Sequence, residues 1–445
     1  MPGSARGGRV DFDPPSCSQR AASLVPKPSL LDIAIGVMCL VVSDGSLAIG
    51  DDAPAVGEQA QLTFLKEHWQ VPIPPQGKPP ARFSLIEASL DPESCAVCHR
   101  PQFDDWKGSV HSRSMGPGVM GQTMELIQDD PSTALLCYSC HAPLTEQQEK
   151  IQAKSGSRPR FKKNPTFLAS LQPKGLICSG CHVRGHQFFG PPKRDGSLEN
   201  SLPASQTPHG GAIRTPAFER AEFCKGCHQF EPDGYALNGK LLENTYNEWK
   251  EGPYAREGRE CQSCHMPDRR HLWRGIHDPE MVRQGVTVRL TLDRELYQVG
   301  DRFQAVIALA NTGVGHYFPT YVTPKVLVRF ELIDAAGRPV EGSLEETRIG
   351  REVTLDLAKE LFDTRIPPGE IKAVPYARTI EQPGLTLKAS VIVAPDDFYI
   401  GFFESIVPRA KTRRTKALLR EALGTVRQSS YTLFEKEVVL SQTSP

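Results

Sequence analysis

The sequence has no surplus of charge of either sign: Lys+Arg and Asp+Glu number 52 each, for a formal net charge of zero. A balanced chain carries no electrostatic footprint for nucleic acid or an acidic membrane surface, so no nucleic-acid partner is expected. Apolar residues are sparse at 39% and aromatics stand at 7%, while there are 38 prolines and 37 glycines in 445 residues. A chain of this length calls for more than one core. So low an apolar fraction implies that something besides side chains fills part of the interior, as a large bound cofactor would. Long apolar runs are lacking too. Leu30 to Val42 is interrupted by Asp32 and is too short to span a bilayer. Ser46-Leu47-Ala48 follows with small residues at both ends, which reads as a cleavage site after Ala48. Residues 1–48 are therefore expected to be an export signal, with membrane attachment only if the segment stays uncleaved.

Of the 12 cysteines, only Cys17 and Cys39 stand outside one repeated pattern. Five Cys-x-x-Cys-His copies use the other ten: Cys95/Cys98/His99, Cys137/Cys140/His141, Cys178/Cys181/His182, Cys224/Cys227/His228 and Cys261/Cys264/His265. Structural zinc needs four ligands and no histidine fixed after each pair. A thiol-redox motif would explain one copy, not five. Disulfides impose no constant spacing. The pattern is that of c-type haem attachment, in which two thiols add across the vinyl groups and the adjacent histidine lies under the iron. Five covalently bound haem c groups are expected, with His99, His141, His182, His228 and His265 as proximal ligands. Attachment outside the cytoplasmic membrane agrees with the export signal, so a periplasmic location is expected.

Seven histidines remain to cap the irons: His68, His111, His186, His209, His271, His277 and His316. An iron held by two histidines is a closed electron carrier, whereas one held by a single histidine can bind substrate. His111 lies twelve residues after His99, about 18 Å along a helix, and is expected to cap a different haem. His186 lies four after His182; on one helix face the two could not straddle an iron, so His186 caps a neighbour or is not a ligand. His111, His186, His209, His271 and His316 are the favoured distal ligands, with His277 as an alternative to His271. His68 stands apart in the segment before the first motif. Trp106, Trp249 and Trp273 are expected to pack, against porphyrin edges among other things.

Between motifs, residues 120–128 and 242–251 read as short helices, and 151–176 and 190–220 as loops. After about Pro279 the period changes to two. Val286 to Leu292, Phe303 to Leu309, Val326 to Leu332 and Leu385 to Val393 alternate, separated by turn signals such as Pro367-Pro368-Gly369. A helix is expected over Lys411 to Leu423 and a closing strand over Leu433 to Leu440. The expected fold is an α and irregular multihaem domain (84–280) after a linker (49–83), followed by an all-β, immunoglobulin-like sandwich (281–445) with a C-terminal helix.

These residues resemble the multihaem cytochromes grouped around cytochrome c-554 and hydroxylamine oxidoreductase. Trp106-Lys107-Gly108-Ser109-Val110-His111 is similar to that class's W-x-x-S-x-H, whose histidine is a distal ligand. Cys261 to Pro267 followed by His271 resembles its last-haem segment. Asn311 to Thr320 resembles the N-x-G-x-G-H-x-x-P-T loop found where such cytochromes carry a C-terminal β-domain; there Gly follows the Thr, and here Tyr321 does. The resemblance implies packed haems and electron transfer between redox partner proteins, donor and acceptor cytochromes or a quinol-linked complex. The class also contains enzymes, so the alternative is an oxidoreductase acting on a small nitrogen or sulfur compound at one five-coordinate haem. Arg184, Lys250 and Tyr254 are the polar groups near motifs that could serve it. A third reading makes the β-domain a docking module. No Cys-x-x-Cys-Lys variant occurs.

Overall fold

The computed structural model describes residues 56–153 and 159–440. The expected export signal, with Cys17 and Cys39, lies outside them. No helix among the described residues is long and apolar enough to cross a membrane.

The motif-bearing part is a chain of short helices and turns. Prolines set its rhythm. Pro117 opens α1 (Pro117–Asp129) and Pro131 opens α2 (Pro131–His141). Pro131 has no N–H to continue a helix, and Asp130 caps α2 by accepting from the Thr133 amide. The second motif occupies the last turn of α2, and the third and fifth form the single-turn helices Cys178–His182 and Cys261–His265. The fourth ends the helix Glu222–His228, and His99 precedes Arg100–Gly108. Helical spacing puts the two cysteines of a motif on one face. The segment expected as a loop over 151–176 includes part of a small hairpin, Lys150–Ala153 paired with Arg160–Lys163.

From Val286 onward strands make up most of the regular structure. A four-stranded antiparallel sheet has Lys325–Ile333 and Thr386–Ala394 at its centre, flanked by Glu345–Ile349 and Tyr431–Val439. A three-stranded sheet pairs Arg302–Asn311 with Val286–Leu292 and Ile371–Thr379. One core takes side chains from both sheets: Phe303, Ala305, Ile307 and Leu309 from one, and Val326, Val328, Phe330, Leu387, Val391 and Val393 from the other. The alternation expected from the sequence is thus the inward face of each central strand.

Two helices lie between the last two strands, α3 (Asp397–Ile406) and α4 (Arg413–Val426). The sequence pattern anticipated α4 but not α3. They pack on α1, close enough that a Cβ on Gly121 would come within 2.7 Å of Leu419 and one on Gly118 within 2.9 Å of Phe403. Glu125 accepts from the Lys411 and Thr412 amides and closes the seam.

A second join runs through Thr245–Glu251, the helix expected over 242–251. Its Glu248, with a side chain 4% exposed, meets Arg365 at 2.7 Å, and Arg365 also meets Asp363 at 2.9 Å. Arg365→Ala would leave the buried Glu248 carboxylate without its cation, at a cost of about 3–5 kcal/mol, while Asp363 keeps Lys240 at 2.7 Å. The expected outcome is a lower urea midpoint with an unchanged slope; an unchanged midpoint would show that the join carries no stability.

Candidate functional site

The motif histidines share a hydrogen-bonding habit. His141 Nδ1 bonds the Ser114 carbonyl at 2.7 Å, His182 Nδ1 that of Phe189 at 2.8 Å, and His265 Nδ1 that of Arg274 at 2.6 Å. A carbonyl only accepts, so Nδ1 carries the proton and Nε2 presents its lone pair. His228 Nδ1 instead meets the Tyr321 hydroxyl at 2.6 Å. Burial lowers the pKa of His182 and His228 to about 4, and lowers those of His99, His141 and His265. The rings are therefore held neutral, the form that binds a metal.

Three non-motif histidines stand opposite motif histidines. The His265 and His316 ring centres are 6.4 Å apart with planes 9° from parallel. His182 and His271 are 6.2 Å apart, and His111 and His228 6.3 Å apart. A metal bonded to one nitrogen of each ring at about 2 Å separates ring centres by about 6 Å. His316 and His271 also place Nδ1 on main-chain carbonyls, of Tyr317 and Arg269. His209 does so with Gly211, and after burial it is the neighbour that lowers the pKa of His99. Burial takes His111 to about 3 and His316 to about 4.

The remaining histidines have other partners. The helix bearing His182 ends there, Gly185 turns with φ +57°, and His186 points its Nε2 to the Gly77 carbonyl at 3.2 Å. His277 pairs with Asp396 at 3.0 Å on the surface. Neither is brought opposite a motif histidine. His68, 3% exposed, bonds the Cys181 carbonyl through Nε2 at 2.8 Å. Among the described residues, which include all twelve histidines, none stands ring-to-ring with His141 in this way.

Trp106 and Trp249 are buried and bond the Leu176 and Arg259 carbonyls. Trp273 sits edge-on to both His111 and His271, at 4.7 and 5.1 Å. Arg184 bonds the His68 carbonyl, Tyr254 that of Thr312, and Lys250 is exposed. The polar groups that do gather by motif cysteines were not anticipated. Glu243, whose carboxyl burial pushes up to about 8, interacts with Cys140 and with the Tyr321 hydroxyl. Tyr399, from α3, is raised to about 12 by burial and then by Glu243. No spacing rule links these residues, which come from three distant segments.

The cysteines of different motifs also approach one another. The Cys95 thiol reaches Cys178, Cys140 reaches Cys227, and Cys224 reaches Cys261. These three pairs take six of the ten cysteines expected to hold haem, and of the other four, Cys98 and Cys264 are set apart by their surroundings. Cys98 is exposed, whereas the other nine are at least partly enclosed. It lies in the turn between the short helix Pro92–Cys95 and the one that His99 precedes, so little of the chain packs over it. Cys264 is half-buried, but its Sγ meets the Arg259 guanidinium at 3.7 Å rather than a sulfur of another motif. The sequence treats the ten as equivalent; the fold does not, because each motif meets different neighbours. The site as a whole fits haem c: paired thiols, neutral imidazoles with oriented Nε2 atoms, and a buried His111 ring, opposite His228, whose Nδ1 has no partner.

One hub holds several of these groups. Ser114 Oγ donates to the His111 and His141 carbonyls, at 2.9 and 2.8 Å, and accepts from the Leu176 amide at 2.8 Å. Gly175 lies against it with φ +70°, where a Cβ would sit 2.5 Å from Ser114 Oγ. Gly175→Ala is expected to destabilise by at least about 1–2 kcal/mol from the positive-φ backbone alone. Thermal unfolding of the holoprotein checks this; an unchanged midpoint would refute the hub.

Residues 94–162 match the family described as cytochrome c554 and c-prime. The chain is similar in fold to a penta-heme cytochrome c552 from Thermochromatium tepidum, with 17% identity, a TM-score of 0.53, and coverage of 80% of this chain and 100% of that one. The ApaA protein from Bordetella pertussis aligns with 36% of this chain and 95% of its own at 14% identity, but its TM-score of 0.17 carries no weight. No curated protein matches the chain. The repeated motif, the matched segment and the shared fold together make the chain a multihaem c-type cytochrome.

Proposed function

We propose that the chain is an exported five-haem cytochrome that passes electrons between redox partner proteins through closely packed haems. The observation that carries this is the ring pairing. His265 with His316, His182 with His271, and His228 with His111 stand at separations that suit one iron between each pair. His99 with His209 would make a fourth pair on electrostatic proximity. The cysteines of all five motifs would hold the porphyrins, with Cys98 and Cys264 completing the pairs begun by Cys95 and Cys261. Bound haem supplies one-electron chemistry, and two nitrogen ligands close an iron to other reactants. Contacts between thiols of different motifs support close packing of the groups they would carry. Residues 84–280 would form the haem domain. Residues 281–445 would form an immunoglobulin-like domain, an assignment supported by two antiparallel sheets sharing one core. The segment 1–48 would direct export to the periplasm.

One observation favours a second role. His141 has no histidine opposite it among the described residues, and Glu243 and Tyr399 lie near its motif cysteines, Cys140 and Cys137. An iron on His141 would keep a face for a small nitrogen or sulfur compound, which is the oxidoreductase alternative.

Intact mass after acid-acetone treatment is expected to equal the mature chain plus five haem masses, and a smaller increment would mean that a motif goes unused. Electron paramagnetic resonance is expected to show four low-spin centres and one high-spin centre. His316→Ala should add one further high-spin signal and leave the other centres alone. An unchanged spectrum in that variant would remove His316 from the ligand set.

A further inference from the structure

Tyr321 combines two features that turn geometry does not explain together. Its φ is +62°, a region L side chains rarely adopt and an aromatic residue adopts at a cost. Its hydroxyl bonds His228 Nδ1 at 2.6 Å. The rings of the two residues face each other at 6.4 Å with planes 27° apart. Of the four motif histidines with a hydrogen-bonded Nδ1, the other three use main-chain carbonyls. A carbonyl is part of the fold and cannot be adjusted separately. A hydroxyl is a side-chain choice and passes the contact onward: Tyr321 also lies against the Glu243 carboxyl and the Thr245 hydroxyl. Glycine would satisfy the backbone at this position without strain.

We propose that Tyr321 is a positioning residue for the axial histidine His228, fixing its ring and setting the reduction potential of the iron it would hold. The proposal rests on the axial reading of His228 given above. The left-handed backbone is retained because only a long side chain with a terminal oxygen reaches Nδ1 from this loop. The loop lies between the strands Arg302–Asn311 and Lys325–Ile333, so the strand-rich region would tune a haem attached to the helical one. The physical lever is the Nδ1–H. Given an acceptor, it makes the imidazole a stronger donor to the metal and favours the ferric state; without one, the ferrous state gains.

The test uses holoprotein carrying Tyr321→Phe or Tyr321→Gly. Potentials are read by redox titration followed by electron paramagnetic resonance, and stability by thermal unfolding. Both variants are expected to shift one low-spin centre upward in potential and leave the others in place. The phenylalanine variant keeps the ring and the backbone, so its shift reads the lost hydroxyl alone, and thermal unfolding checks that both variants stay folded. Unchanged potentials in both variants would overturn the proposal and leave Tyr321 as a turn residue. His228→Ala separates the two layers of the argument. If that variant loses a low-spin signal while the Tyr321 variants change nothing, the positioning role alone fails. If it keeps every low-spin signal, the axial reading fails and this proposal falls with it.

Discussion

A porphyrin has two faces, and a Cys-x-x-Cys-His segment reaches only one of them. Whatever covers the other must arrive from elsewhere in the chain, and much of this architecture follows from that demand. On the proposed ligation, His111 serves a motif far ahead of it, while His209, His271 and His316 serve motifs behind them. No motif segment is then complete by itself, and the helical region folds as one mesh rather than as five beads. This also accounts for its thin apolar content. Before Pro279 the buried apolar residues form small clusters, around Ile73, Met115 and Ala221, whereas the two sheets of the strand-rich region share one large core, with smaller clusters at Phe403 and Val322 beside it.

The strand-rich region is built as a rigid support. Asn311, 1% exposed, ends a central strand and donates its side-chain amide to the His316 and Ile366 carbonyls. Glu248 accepts from the Tyr317 amide and meets Arg365, so the loop is gripped from both regions. Gly252 and Gly315 allow the backbones to close in: a Cβ on Gly252 would stand 3.0 Å from the Gly315 carbonyl oxygen. A histidine on such a loop is aimed by main-chain contacts rather than by its own rotamer. The helices α3 and α4 make a second attachment beside the second motif, remote in sequence from everything they touch.

What was legible from the residues alone follows physical range. Covalent chemistry with fixed spacing is local, so all five motifs could be read directly. How deeply each sulfur sits is not local, and the motif pattern could not set the exposed Cys98 apart from its enclosed counterparts. Period-two alternation is local too, and it marked the central strands. The polar edge strand Glu345–Ile349 and the proline-containing Ile371–Thr379 escaped because they present weaker inward faces. The aromatic helix α3 has no polar stripe to mark its period. Histidine pairing is non-local. The residue types narrowed it to seven candidates, but only the folded chain separates His271 from His277, whose partner is Asp396. Glu243, Tyr321 and Tyr399 lie beyond the reach of any motif, since their meeting depends on how the two regions join.

The meeting of thiols from different motifs bears on how the molecule is made. Cys95 with Cys178, Cys140 with Cys227, and Cys224 with Cys261 are near neighbours in the finished fold. In an oxidising compartment, a chain that closed before its thioethers formed would bring these sulfurs together as substrates for disulfide exchange. Each such bond would lock two attachment sites into one dead end. On the proposed function, maturation would then be a race between ligation and collapse, and the packing that suits internal charge movement would make an unfinished chain self-poisoning. On the proposed export, the order in which the motifs would emerge and the speed with which each would be capped matter as much as the final fold.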